Sequence, residues 1–367
     1  MNIVYDARHI GEPYTGLGRY SGSLVEALLR THDHPATNLV VMLQHGVEWQ
    51  HNPYFTAIEQ ASKTGRCIIE YVDSRPISLS QHVVVSRWLN QRKPDLYFYP
   101  HFDAPLLTDV PTTFVVHDLI PLKIDNYVRH LAPLKKQYFK QMIHLNLRRQ
   151  RTCVTDSRAT LRDIVTMYPP RHCKNIRTCY LGVDTKPDAQ HAPRPLDAPY
   201  ILYVGDRRPH KNIRYTIDVF KRLVDQHGYQ GKLVLVGTKV NHDFDVESYV
   251  AQMPQVVIIG NVADNVLEQF YRHTDALVFL SKYEGFGLPV IEAGKWGRKI
   301  VVSDGGSLPE IAPEGSCIIP LSNTISEAAR MMAQYLASDL HPDGDFVTRT
   351  YTWENAAKAI FPLAYQQ

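Results

Sequence analysis

Two glutamates, Glu284 and Glu292, stand eight positions apart around the stretch Glu284-Gly-Phe-Gly-Leu-Pro289. An ionised carboxylate only accepts hydrogen bonds and can take two O–H donors at once, so this pair suits the hydroxyls of a sugar or the diol of a ribose. It does not suit phosphate. Cations for that task stand upstream in Gly205-Asp-Arg207-Arg208-Pro-His-Lys211-Asn212, where Arg207, Arg208 and Lys211 could offset a diphosphate that a helix terminus alone would only partly neutralise. A third candidate is His117, which ends the apolar run Thr113-Phe-Val-Val-His117. Its imidazole can donate or accept a hydrogen bond near neutral pH.

These groups need elements to hold them. Ala276 to Ser281 has strand length and Glu284 to Pro289 is a Gly/Pro loop, with Pro289 compatible with the first turn of a following helix. In a parallel α/β sheet such a loop lies at the carboxyl ends of the strands, where ligands bind. Gly285 and Gly287 let the backbone come close, and the N–H groups of Gly287 and Leu288 at the helix start would face an anion. Glu284 then precedes the helix and Glu292 sits about one turn into it. Gly205 opens the second such loop, between a strand at Tyr200 to Val204 and a helix from Asn212 to Gln226. A third strand, Gly turn and helix begin the chain: Asn2 to Asp6, then a loop carrying Gly16 and Gly18 into a helix reaching about Arg30. That loop is not G-x-G-x-x-G, but it too could dock a phosphate.

Further strand patterns fall at 39–43, 67–72, 95–99, 112–117 and 176–181, with a strand from Cys153 running into an N-cap near Ser157. Residues 185–199 carry four prolines and no apolar period, which marks a linker. After it strand and helix patterns alternate again, with strands at 233–236 and 256–259 and helices near 246–252 and 265–273. The expected architecture is α/β: two Rossmann-like doubly wound domains, 1–185 and 186–350, facing a central cleft, with a closing helix in 351–367.

Composition narrows the class. A chain of 367 residues with 44% hydrophobic and 21% charged residues is too long for one ordinary core and too apolar for disorder. No run of about 18 apolar residues exists, and Met1 to Asp6 goes straight into a strand pattern, so neither a signal peptide nor a span is expected. Five cysteines without C-x-x-C spacing read as reduced thiols of a cytoplasmic protein, not as metal ligands. Between Pro121 and Tyr180, thirteen Lys/Arg face three acids. Part of this charge lies on an amphipathic helix pattern at 131–151. Such a surface could meet anionic lipid headgroups, a lipid diphosphate or nucleic acid, or be a solvated face balanced elsewhere.

The Glu-x7-Glu spacing with Glu-Gly-Phe-Gly-Leu-Pro resembles the motif of the family-four retaining glycosyltransferases of the GT-B fold. Val-His117-Asp-Leu-Ile-Pro-Leu is similar to a segment of the bacterial mannosyl- and rhamnosyltransferases of that family, and Gly205 to Asn212 resembles its Gly-x-x-x-Pro-x-Lys-Asn variant. Asn261-Val262 after Gly260 resembles the strand end whose backbone meets the nucleobase. Two departures stand out. Asp206 occupies the position where many members carry the arginine, so Arg207 or Arg208 must substitute. Trp296 lies where relatives have small residues, so it packs differently or sits at the surface.

The resemblance implies transfer of a hexose, with retention, from a nucleoside diphosphate sugar, GDP-mannose by preference, to a glycan or polyprenyl-diphosphate-linked acceptor in bacterial surface polysaccharide synthesis such as O-antigen assembly. On this pattern no cofactor and no metal are expected; the basic segment from Lys123 to Arg177, with no accompanying span, predicts peripheral, electrostatic association with an anionic membrane, and no nucleic acid partner is expected. Asp243-Phe-Asp245 and Asp343-Gly-Asp345 have D-x-D form, but neither follows a convincing strand. On this pattern Arg207 or Arg208, Lys211 and the N–H groups of Gly287 and Leu288 stabilise the departing diphosphate. His117 and Glu284 hold the transferred sugar, Glu292 takes the ribose, and Gly16, Gly18, Gly205, Val262, Gly285 and Phe286 complete the donor site. Two other classes are compatible with the same residues: a nucleotide-sugar epimerase of GT-B-like fold, and a catalytically silent membrane-associated partner protein.

Overall fold

Strands made of uninterrupted apolar residues, such as Ile3-Val-Tyr5 and Tyr200-Ile-Leu-Tyr203, are buried on both faces, as central strands of parallel sheets are. The computed structural model describes residues 1–12, 15–31, 38–124, 133–184, 193–238 and 245–362. Parts of five expectations fall outside these residues: Pro13 and Tyr14 of the first Gly turn, Asp125, Arg129 and Leu131 of the basic segment, 185–192 of the linker, Asp243 with Phe244 of one D-x-D pair, and 363–367 of the closing segment.

The chain divides into two units. The first comprises Met1–Leu119, His130–Asp184 and Thr352–Gln367, and the second Ile120–Arg129 and Thr185–Tyr351. Of the described residues, Ile120 to Ile124 thus group with the second unit although they follow a strand of the first. Within the second unit, Lys123 Nζ lies 4.9 Å from the centre of the Tyr283 ring.

In the first unit, β1 (Asn2–Asp6), β2 (Asn38–Gln44), β3 (Ile68–Val72), β4 (Leu96–Tyr99), β5 (Thr112–Val116), β6 (Thr152–Thr155) and β7 (Ile176–Thr178) form one parallel sheet in the order β3-β2-β1-β4-β5-β6-β7. The order reverses between β1 and β4, and a crevice opens where connections leave neighbouring strands in opposite directions. The helix Trp353–Ile360 belongs to this unit. Thr352 caps it by accepting from Asn355 N–H at 3.0 Å, and Arg30 reaches its Glu354 at 2.7 Å.

The second unit repeats the scheme with β8 (Tyr200–Val204), β9 (Lys232–Val236), β10 (Val256–Ile259), β11 (Ala276–Phe279), β12 (Lys299–Ser303) and β13 (Cys317–Ile319), ordered β10-β9-β8-β11-β12-β13. Its reversal lies between β8 and β11. The helix Ile213–His227 buries Ile213, Ile217, Phe220 and Leu223 along one stripe and stops at Gly228, whose N–H meets the Leu223 and Val224 carbonyls. Each such side chain contributes roughly 1.5–3 kcal/mol on burial. The element pattern is the expected one, two doubly wound α/β units, but several details differ. Gly16 and Gly18 are not in a loop: the helix Gly16–Thr31 begins at Gly16, and Gly18 N–H is taken by Thr15 Oγ1 at 3.0 Å. The strand expected to reach Leu181 ends at Thr178.

Candidate active site

The two loops that carry the sequence motifs leave β8 and β11, the strands flanking the reversal point of the second sheet. After β8 the chain turns through Gly205 into a short 3-10 turn, Pro209–Lys211. Asn212 then adopts a left-handed conformation (φ 55°), which Asn tolerates better than most residues. Its side-chain amide donates to the Leu280 carbonyl at 3.1 Å and Lys282 N–H donates to the His210 carbonyl at 2.7 Å. The two loops are therefore tied together by backbone, and their side chains meet.

Lys211 Nζ lies 2.9 Å from both carboxylate oxygens of Glu284, with side-chain exposures of 15% and 7%. The cation expected at the diphosphate and the carboxylate expected at the sugar hold each other. A pair this sheltered is costly to break on one side only, about 3 kcal/mol when no new partner appears. Both groups are thus poised for ligands that replace the pair at both ends.

The loop of Glu284 is braced from β12. Ser307 donates its N–H to the Glu284 carbonyl at 3.1 Å and its hydroxyl to the Phe286 carbonyl at 2.6 Å. Gly306 has φ +65°, and a Cβ there would stand 2.4 Å from the Glu284 carbonyl oxygen, so no other residue fits. Gly287, at φ 104°, turns the chain into the helix Leu288–Gly294, with Pro289 in its first turn. Gly287 and Leu288 thus stand at the helix start, where N–H groups lack intrahelical acceptors. Gly285 is buried beside them. The Phe286 side chain is buried and its ring packs edge-on to Tyr351. Glu292 is largely buried in the helix, and Tyr271 donates its hydroxyl to Oε2 at 2.6 Å.

The two arginines differ. Arg207 is buried, and Nη1 meets Glu247 Oε1 at 2.5 Å. Arg208 has 44% of its side chain exposed and is steered by Asp206, whose Oδ2 lies 3.2 Å from Nε. Asp206 therefore orients the neighbouring arginine. Val262 lies in the loop after β10, at the sheet edge two strands from β8. Trp296 falls past the end of its helix, half-buried, donating Nε1–H to Glu268 at 2.5 Å, with the Arg272 guanidinium 5.2 Å from its ring centre.

In the first unit, His117 follows β5 and faces Asp156, which follows β6; the register pairs Val116 with Thr155, so the next residues stand side by side. Nδ1 lies 2.6 Å from Asp156 Oδ2 and Nε2 lies 3.0 Å from the Pro100 carbonyl. Two acceptors at two ring nitrogens require a doubly protonated imidazole. Burial opposes that charge, but the Asp156 carboxylate and the Pro100 carbonyl outweigh it and hold His117 above the ordinary imidazole value. Tyr20 packs edge-on at 4.6 Å.

Sequence reasoning did not find Tyr271, Glu247, Ser307 or Asp156. Only Asp156 carried a signal, since it ends a strand next to that of His117. The five cysteines are free thiols. Asp343 caps the helix Gly344–Thr350, accepting from Asp345 and Phe346 N–H, which accounts for that D-x-D spacing. Among the described residues there is no cluster of three or more metal-ligating side chains.

Two parallel doubly wound units, one with basic and carboxylate-bearing loops at its reversal point, form the GT-B fold. The chain matches, over residues 184–353, the model of the family described as Glycosyl transferases group 1. It is 25% identical to the O-antigen chain mannosyltransferase B of Escherichia coli, over 97% of both chains. It is 25% identical to the O-antigen chain mannosyltransferase RfbU of Salmonella typhimurium, over 98% of both. Among solved structures, the apo lipopolysaccharide outer core galactosyltransferase WaaB superposes with a TM-score of 0.66 at 14% identity, over 99% of this chain and 100% of that one. Anabaena HepE in complex with UDP and glucose gives 0.62 at 16%, over 99% and 95%.

Proposed function

We propose that this glycosyltransferase moves a mannosyl group from GDP-mannose, with retention at the anomeric carbon, to a glycan or polyprenyl-diphosphate-linked acceptor in surface polysaccharide synthesis. The observation that carries the donor reading is the Lys211–Glu284 pair at the reversal point of the second sheet. A diphosphate offers Lys211 a stronger anion, and the freed Glu284 becomes the acceptor for a sugar hydroxyl. Arg208 and the helix start at Gly287 and Leu288 add positive potential where charge builds on the leaving diphosphate, the task a metal ion performs elsewhere. Glu292, oriented by Tyr271, takes the ribose diol. The near full-length relatives named as mannosyltransferases support the choice of sugar.

His117 enters this scheme as a cation. Its Nε2–H, now on the Pro100 carbonyl, is the donor it can offer to a hydroxyl of the transferred hexose. The protein works in the cytoplasm, at an anionic membrane surface. Support for the latter is the helix Pro133–Arg148, where Lys135, Lys136 and Lys140 are exposed beside a 79% exposed Leu134. Among the described residues no helix is long and apolar enough to cross a membrane.

Thermal-shift screening with GDP, UDP, dTDP and ADP tests the donor. Stabilisation by GDP above the others is expected, and stabilisation by UDP or dTDP alone contradicts it. Incubation with GDP-mannose and a mannose-terminated acceptor, followed by assignment of the new anomeric linkage, tests the reaction, and an inverted linkage contradicts retention. Chelator-treated enzyme is expected to keep its rate. An epimerised donor without acceptor would instead mark an epimerase, and absent nucleotide binding a silent partner protein.

A further inference from the structure

The first unit has a reversal point of its own, between β1 and β4. What stands there is a buried polar network. Asp6 and Arg8 form an ion pair at 2.7 Å with neither side chain exposed, and Arg8 reaches Gln81 Oε1 at 3.3 Å. Gln81 Nε2 donates to Asp103 Oδ2 at 2.8 Å, and Tyr99 donates to Asp103 Oδ1 at 3.2 Å. The network ends at His101, whose Nδ1 lies 2.6 Å from Asp103 Oδ1.

Asp103 is fully buried. Burial alone would push its carboxyl up, but the hydrogen bond and charge of His101 pull it below the usual carboxylate range, so it stays ionised. The hydrogen bond at Nδ1 orients the ring and sets Nε2 on the side away from Asp103. The His101 side chain keeps 16% of its surface exposed. Beside it, Phe102 packs at 4.3 Å between ring centres, Phe139 packs against Phe102 at 4.4 Å, tilted by 60°, and Tyr138 stands 6.4 Å from Phe102. All three rings are half-buried.

The outer ring nitrogen of His101 is a hydrogen-bonding group, and the half-open aromatic rings beside it offer an apolar face. The ligand that satisfies both is rich in hydroxyls, which donate or accept, and apolar on one side, which is the chemistry of a pyranose ring. We propose that His101 Nε2 and the Phe102 and Phe139 rings form a sugar subsite in the first unit, a pyranose hydroxyl hydrogen-bonding with Nε2 while its C–H face lies on the rings. This rests on the reading above that a glycan is the acceptor, and it assigns the acceptor's recognition to these residues.

The test uses the full chain carrying 15N-labelled histidine, with the His101 ring signal assigned by its loss in His101→Asn, a change that keeps an N–H toward Asp103. Titration with methyl α-mannopyranoside and with a mannobiose is expected to move the His101 Nε2 signal saturably. His101→Asn and Phe102→Ala are each expected to weaken sugar binding about tenfold, the scale of one lost hydrogen bond or stacking contact. GDP affinity and turnover of GDP-mannose in the same samples report the donor reading separately, so a failure there with the His101 shift intact sinks that reading and not this one. A His101 signal unmoved up to the solubility limit of the sugars, or variants that bind sugar as the wild type does, overturns the subsite.

Discussion

Lys211 and Glu284 come from loops on two neighbouring strands, 73 positions apart in the chain, and meet as a sheltered ion pair with Nζ 2.9 Å from each carboxylate oxygen. In the proposed donor reading their partnership makes phosphate binding and sugar binding interdependent, because a ligand that takes one releases the other. It also accounts for the rigidity built around them, from the Asn212 and Lys282 hydrogen bonds to the glycine at 306 that admits the Glu284 carbonyl.

Arg207 and Arg208 separate by role. Arg207→Ala removes a buried side chain and leaves Glu247 without its cation, and is expected to lower stability by roughly 1–3 kcal/mol while the folded protein keeps its nucleoside diphosphate affinity. Arg208→Ala is expected to leave the melting temperature within a degree or two and weaken that affinity about tenfold. Thermal melts paired with calorimetric titration read both. The opposite assignment would show as a stability loss at Arg208 and an affinity loss at Arg207.

The hydrogen bond from Tyr271 to Glu292 bears on the proposed ribose contact. Glu292→Gln is expected to weaken nucleoside diphosphate binding by roughly 1–3 kcal/mol, the cost of a charged hydrogen bond. Tyr271→Phe, which removes the hydroxyl that orients Oε2, should shift affinity in the same direction by less. Such binding is shared by donor and product, so KM for the donor should rise with kcat little changed. A fall in kcat at constant KM in either variant would place Glu292 at the reacting sugar instead.

The His117–Asp156 pair carries a pH dependence whose sign is fixed. His117 is held above its ordinary value, so its contribution to stability is fully present below the unfolded imidazole value, near pH 6.5, and is lost as pH rises through the raised folded value. The wild type should therefore lose more melting temperature than His117→Gln between pH 6 and the alkaline side of that transition. Parallel melting curves across the range would show that the ring is neutral in the folded protein.

The basic helix gives the membrane prediction. Replacing Lys135, Lys136 and Lys140 with Glu should abolish binding to anionic liposomes, each exposed lysine contributing about 1 kcal/mol near the surface. Wild-type binding should fall with salt. Equal binding to neutral and anionic vesicles would contradict an electrostatic attachment.

Sequence periodicity alone located most strands of both sheets, because parallel strands buried on two faces leave long apolar runs that loops interrupt sharply. Glu284, Glu292 and Lys211 were legible because chemistry and Gly/Pro punctuation coincide there. The partners were not. Tyr271 and Glu247 sit on helices whose sequence marks them only as core or surface, and what they touch depends on how those helices pack. His101 was passed over because a single histidine after a short strand has no local signature; its meaning comes from Asp103, Gln81 and Tyr99 converging from separate elements. Gly16 and Gly18 misled in the opposite direction, since a Gly-rich turn and a capped helix start look alike until Thr15 is seen to occupy the Gly18 N–H.

The exchange of partners at Lys211 is tested most directly by calorimetric titration of the wild type and Glu284→Gln with whichever nucleoside diphosphate the thermal screen selects. Removing the charge of Glu284 frees Lys211 in advance, so the variant should bind the nucleoside diphosphate several-fold more tightly than the wild type, while its transfer rate at saturating donor falls. A Glu284→Gln protein that remains folded and binds the nucleoside diphosphate more weakly than the wild type would contradict the exchange.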